Sequence, residues 1–318
     1  MPGFVTHYLF GVKSYKALNN KELKNIIKNN RNSFSLGLQG PDIFFYFLPT
    51  MLGKKVNIAS KMHKENTNRF FQEMIKYMSD IHGKKAYETA CAYIHGFMGH
   101  YILDTNMHPY VYSRVGTSTS NKTMGKHYGL ETDIDREILW DYKKLRQADF
   151  SHSARIDLSY YQKNVIAGLL HTAILNTYDI DISVKLIKSA ITSFYIECAL
   201  LTDSKEYKYK AINGIEHYVF GYDILSPLLI NDIPHSEDPC NEKHDQWSNP
   251  WDENHSSTDS VFDILCNASA TYIDYMELMQ DALDASYHLT GDNSSAILIK
   301  LGNKSYTSGL DCSIKLKR

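Results

Sequence analysis

Residues 90–108 read ACAYIHGFMGHYILDTNMH, and this stretch decides the fold. Within 86–108, Ala90, Cys91, Ile94, Phe97, Met98, Tyr101, Ile102 and Leu103 place apolar side chains on most sides of a helix. A helix that is apolar all round belongs at the centre of a protein. The same stretch carries His100, Asp104 and His108 at four-residue intervals. On a helix turning about 100° per residue, those positions fall within about 80° of one another. Two imidazoles and a carboxylate thus share a stripe on a buried helix, where unpartnered polar groups cost several kcal/mol. Either a divalent cation or a hydrogen-bonded network between helices must satisfy them.

Outward from this centre the chain continues as helices. Residues 21–31 read as a short amphipathic helix. Residues 56–80 read as a long one, with Phe70, Met74 and Met78 on its buried stripe and Gly83 as a stop. Residues 130–148 carry Asp133, Asp135 and Glu137 early and Lys143, Lys144 and Arg146 late, in keeping with the helix dipole. Residues 157–177, 182–202, 205–222 and 260–290 follow with helical periodicity. Between them, 232–260 is a long polar loop with no helical period, suited to a lid, to recognition or to mobility. Residues 291–318 read as a tail, with strand character at Ala296-Ile297-Leu298-Ile299. The expectation is an all-α protein with a single multi-helical domain over 1–290 and an irregular C-terminal tail over 291–318.

Composition narrows the function. The 318 residues are 43% hydrophobic and 22% charged, as in packed globular chains rather than disordered ones. Lys+Arg is 34 and Asp+Glu 36, a formal net charge of −2. No large positive field results, so no stable nucleic-acid complex is expected. The five cysteines include no CxxC pair, which excludes a thiolate zinc finger and argues against a disulfide framework. No basic, then apolar, then small-residue leader opens the chain, and its apolar runs are short of the roughly 20 residues that span a bilayer. The expectation is a cytoplasmic protein, with peripheral membrane contact left open by the aromatic run at 43–48.

Fourteen histidines make histidine positions the next thing to read. His127 and Glu131 form a second i, i+4 pair. His63 lies on the buried stripe of the 56–80 segment, as a core histidine bonded to a carbonyl or as a ligand. Asp42 follows Gly40-Pro41, as a helix N-cap or as a ligand fixed at a core edge. His7 sits in a short apolar segment near the start. His95, five residues before His100, points about 140° away from it and reads as structural.

Taken in order, His7, Asp42, His63, His100, Asp104, His108, His127 and Glu131 resemble the zinc-dependent phospholipase C family, and more distantly the single-strand-specific zinc nucleases that share its fold. The opening Pro2-Gly-Phe-Val-Thr-His7, the Gly40-Pro41-Asp42 turn, His63-Lys-Glu, His100-xxx-Asp104-xxx-His108-Pro109 and His127-xxx-Glu131 all bear the resemblance. It implies up to three zinc ions at the base of a cleft between helices. One would be held by Asp42, His63, His100 and Asp104, and a second by His108, His127 and Glu131. The third would be held by His7, a bridging Asp104 and the terminal group of Pro2 after removal of Met1. The family pattern has a longer interval between the bridging aspartate and the next histidine. Here Asp104 and His108 are four apart, so one further turn delivers His108 to that ion or to another.

The resemblance implies a zinc-dependent phosphodiester hydrolase, foremost a phospholipase C acting on a glycerophospholipid through a zinc-activated water that Asp42 orients or deprotonates. Phe44, Phe45 and Tyr46 would either wall the cleft and accept an acylglycerol or a choline cation, or pack into the core, the role expected of at least two of the three. The alternatives are a single-strand nuclease on the same metal site, and a non-catalytic helical binding protein that retains the fold.

Overall fold

A computed structural model describes residues 3–45, 47, 57–285 and 293–315. The chain runs α1 (Phe4–Ala17), α2 (Lys21–Asn29), α3 (Arg31–Gly37), a 3-10 turn (Gly40–Phe44), α4 (Ile58–Met62), α5 (Thr67–Ile81), α6 (Ala86–Val115) and α7 (Asn121–Lys143). It continues with α8 (Tyr160–Tyr178), α9 (Val184–Leu200), α10 (Tyr207–Val219), a hairpin of β1 (Trp247–Asn249) and β2 (Asp252–Ser257), α11 (Val261–Ala285) and α12 (Asn293–Leu301). The protein is mostly helical, as expected.

Helix α6 is the hub, because it has no polar face to turn to water. It contacts α1, α2, α3, α5, α7, α8 and α11. Tyr93, Phe97, Met98 and Leu103 are buried along it. The closest crossing is with α3, at Gly37 and Gly96. A Cβ on Gly96 would run into the Phe34 carbonyl oxygen, and one on Gly37 into the Tyr93 carbonyl oxygen. Hydrogen in place of a side chain lets the two backbones touch.

Several boundaries differ from the sequence expectation. The single helix expected over 56–80 is two helices within its described part. The chain breaks after Met62, and Asn66, at φ 52°, takes the left-handed conformation before α5 begins. The break puts His63 at the C-terminal end of α4 rather than on a helical stripe. The helix expected at 86–108 runs on through Pro109 to Val115. The one expected at 130–148 begins earlier, where the Ser120 side chain caps Thr123 N, and ends at left-handed Lys144. The polar loop 232–260 contains the antiparallel hairpin. The strand character expected at 296–299 is overturned, since these residues lie in α12. Ile297 and Leu301, four apart, are its buried positions, whereas Ile299 points outward, which is helical spacing. The segment after it folds back on the core, where the Tyr306 ring is buried against His63, His100 and Tyr101.

All five cysteines are free, and no helix among the described residues is long and apolar enough to cross a membrane.

The α3–α6 contact gives a direct test. Gly96→Ala forces two backbones apart in a packed core, with an expected cost of about 1–3 kcal/mol. A thermal melt should show a Tm lower by several degrees, and an unchanged Tm would mean the helices do not meet there.

Candidate metal centre

Five elements bring the predicted side chains to one cavity of about 260 Å³, lined in part by His7, Asp42, His63, Asp104, His108 and Glu131. Each arrives for a local reason. His7 is held by the start of α1, whose Val5 N–H, Thr6 N–H and Thr6 hydroxyl all donate to the buried carboxylate of Asp135 on α7. A carboxylate from another helix thus satisfies the first turn of α1 and complements its dipole. Asp42 is carried by the 3-10 turn that begins at Gly40, at φ +52° and so close to His100 that a Cβ there would enter the imidazole ring. His100, Asp104 and His108 follow one another on α6, and His127 and Glu131 on α7.

Three of the rings are oriented by backbone carbonyls. His63 Nδ1 is 2.7 Å from Ala59 O, His100 Nδ1 3.2 Å from Leu38 O, and His108 Nδ1 2.9 Å from Tyr306 O. A carbonyl oxygen only accepts, so each Nδ1 carries the proton and donates it. In the neutral ring Nε2 is then a lone pair aimed into the cavity, the arrangement of a metal-ligating histidine.

Those nitrogens face carboxylate oxygens. His7 Nε2 lies 3.1 Å from Asp104 Oδ1, and His100 Nε2 3.0 Å from Asp104 Oδ2. His63 Nε2 lies 3.2 Å from Asp42 Oδ1 and 3.8 Å from Asp104 Oδ2. Glu131 Oε1 is 3.1 Å from His127 Nε2 and 3.4 Å from His108 Nε2. Despite its short distance to Asp104, buried His100 Nε2 has no hydrogen-bond partner, in keeping with a ring proton held on Nδ1 by Leu38 O. At His63 and His100, whose ring proton sits on Nδ1, lone pair against carboxylate at this range is repulsive unless a positive charge lies between them.

The electrostatics point the same way. Burial works against ionised Asp104, yet His100, His108 and His7 outweigh it and hold its carboxyl well below the usual range. Burial likewise opposes ionised Glu131, but His127 and His108 bring it down to about 2. At His108, burial is outweighed by Asp104 and Glu131, which push the ring up to about 10. His7 and His100 stack at 4.4 Å and move in opposite directions. Burial pushes His100 down, whereas Asp104 overcomes burial to raise His7. Each of the stacked rings disfavours charge on the other, and both lie against Asp104.

Among the described residues, three groups of ligand atoms lie within 4.8 Å of one another: His7, His100 and Asp104; Asp42, His63 and His100; and His108, His127 and Glu131. All eight residues singled out in the sequence therefore converge. The four-residue interval from Asp104 does deliver His108 to the group with His127 and Glu131. Pro2 and Tyr46 lie outside the described residues. Phe45 lines the cavity, but Phe44 does not. It is fully buried in the core, so of the two roles open to it the structure gives packing and not the cleft wall. His95 is buried elsewhere, its Nε2 3.2 Å from Gln280 Oε1.

Tyr112, Tyr128, Met124, Lys64 and Thr307 also line the cavity and were not found from sequence. Tyr112 had a signal, since it follows His108 by one turn of α6. Thr307 and the Tyr306 carbonyl had none, because they come from the segment read as a tail. The donor set of imidazoles and carboxylates is that of zinc, and the orphaned His100 Nε2 fits a cation at this place.

Asp135 supplies a test remote from the metal. Asp135→Asn turns an amide N–H₂ toward Val5 N–H or Thr6 N–H, leaving a buried donor unpaired at about 1–3 kcal/mol. The expected result is a lower Tm together with less zinc per chain by elemental analysis. Full zinc content with a normal melt would show that the start of α1 does not depend on this carboxylate.

Comparison with curated proteins and with solved structures gives no match. The family model for zinc-dependent phospholipase C matches residues 6–207, more than half of the chain and all eight converging positions. With the geometry pointing to clustered cations and the match covering the residues that form it, the chain belongs to the zinc-dependent phospholipase C family of zinc-using hydrolases.

Proposed function

We propose that the protein is a phospholipase C that hydrolyses the glycerol-side phosphodiester bond of a glycerophospholipid. The convergence of five imidazoles and three carboxylates on one cavity carries this reading. Asp42, His63, His100 and Asp104 would hold one zinc, His108, His127 and Glu131 a second, and His7 with Asp104 a third. When bound, the ions offset the negative charge that builds on the phosphoryl oxygens and acidify water to near-neutral pKa.

The chain's own groups supply the rest. Asp42 is the most open of the carboxylates, its side chain 28% exposed, so it can both hold metal and accept the proton of the attacking water. Water oxygen bonds to phosphorus, the bond from phosphorus to the glycerol oxygen breaks, and the diacylglycerol leaves with a proton. The head group departs as its phosphomonoester. Phe45, Tyr112 and Tyr128 line the same cavity and offer ring faces to an alkylammonium head group or to the glycerol backbone.

A chelator should abolish hydrolysis of phosphatidylcholine, and added zinc should restore it. His100→Ala and Asp104→Ala should each remove metal and activity together, with at least a hundredfold loss expected of order 10². Release of phosphocholine identifies the reaction. Cleavage of single-stranded DNA with no action on any phospholipid would replace this reading by a nuclease, and full activity in Asp104→Ala would remove both.

A further inference from the structure

Helix α10 is amphipathic in the reverse sense. Its buried residue is Glu216, 5% exposed. The Glu216 carboxylate accepts from the N–H groups of Ile224, Leu225 and Ser226 and from the Ser226 hydroxyl. Charge-assisted bonds of this kind are strong, and they lash the helix to the turn that follows it. The apolar side chains go outward instead. Tyr218 is 92% exposed, Ile215 64% and Val219 58%, with Phe220 and Leu225 more than half exposed just beyond. Ile215, Tyr218 and Val219 are spaced i, i+3, i+4 and share a face. The outward display is therefore fixed by the inward acid and is not the result of loose packing. Apolar surface grouped in this way marks a contact site.

Three observations choose the occupant. First, the outward side chains are tyrosine, phenylalanine and branched aliphatics with no ionised acid among them, the chemistry of a membrane–water interface. Second, the face borders a cleft of about 510 Å³ whose lining includes Lys122, Lys126, Tyr209 and Tyr222. Lys122 and Lys126 are exposed, one turn apart on α7, and suited to anionic head groups. Third, α7 also carries Met124, His127 and Tyr128 on the wall of the metal cavity, so one helix separates the outward face from the reaction.

We propose that this face docks on an anionic phospholipid bilayer, with Ile215, Tyr218, Val219, Phe220 and Leu225 entering the boundary between head groups and acyl chains and Lys122 and Lys126 meeting lipid phosphates. The choice of lipid over a protein partner rests on the phospholipase reading above.

The test sediments zinc-loaded protein with vesicles of phosphatidylcholine, with and without phosphatidylglycerol. In parallel, hydrolysis is measured on a short-chain phosphatidylcholine kept monomeric. Wild type should co-sediment, more strongly with phosphatidylglycerol. Ile215→Ser/Phe220→Ser should lose at least about tenfold in vesicle affinity, since apolar burial drives interfacial binding, while monomer hydrolysis and zinc content stay unchanged. Lys122→Glu/Lys126→Glu should abolish the phosphatidylglycerol dependence. Wild type that fails to co-sediment, or a serine variant that binds as well as wild type, overturns the proposal. So does a lipid-free dimer that the serine variant converts to monomer, because a second copy then covers the face. Face-dependent vesicle binding without monomer hydrolysis supports docking and sinks the phospholipase reading instead.

Discussion

A buried carboxylate facing imidazole lone pairs is the constraint on which the structure depends. Asp104 is 4% exposed, and nitrogen atoms of His7, His63, His100 and His108 approach its two oxygens within 3.8 Å. With Nδ1 protons committed to carbonyls at His63 and His100, those two rings, when neutral, turn only Nε2 lone pairs toward Asp104. Protonating the rings relieves one contact while bringing like charges together, as the opposed shifts of stacked His7 and His100 illustrate. Divalent cations relieve every contact at once, because each draws in several nitrogens and oxygens together. The family's use of zinc and the geometry are thus two statements of the same electrostatic fact.

Holding such a constellation takes more scaffold than ligands. The rings are aimed by carbonyls from α4, from the end of α3 and from the segment after α12. Gly40 lets the Asp42 turn press against the His100 ring, and Asp135 ties down the helix that presents His7. Burial, with the nearby Glu131 charge, pushes Asp135 up to about 6 despite the three bonds it accepts. The structure therefore tolerates an awkwardly placed acid in order to fix α1, which is the expected character of a supporting shell.

The converging residues were legible as an ordered set rather than singly: the i, i+4 pairs on an otherwise apolar helix left a polar network open, and His7, Asp42 and His63 joined them only through the family resemblance. The hub role of residues 86–108 was legible from apolar side chains on most sides of the helix. What sequence periodicity misread were places where tertiary contact overrides it. The break at 63–66 depends on where His63 must point and on Tyr306 N–H donating to the His63 carbonyl, a contact made 243 positions away in the chain. β-branched Ile297 and Ile299 suggested a strand, yet burial of Ile297 and Leu301 against the core selects a helix. Phe44 and Phe45 are indistinguishable as residue types. Their places at the last residue of the 3-10 turn and just after it send one into the core and the other to the cavity.

The two halves of the chain answer to different physical tolerances. A metal site tolerates only small displacements of its donors, and the candidate donors lie on buried helices within 6–207 and on the turn and short helix wedged between them. A surface that meets fluid lipid needs only apolar area and a fixed direction. Helix α10, begun where that matched stretch ends, meets this looser demand with one buried glutamate and a turn. Such a helix gains little from hydrophobic packing against its own protein, because its apolar face is spent outward. It depends instead on the Glu216 bonds, which leave that face free and set its direction relative to α7, the helix that closes the metal cavity on the other side.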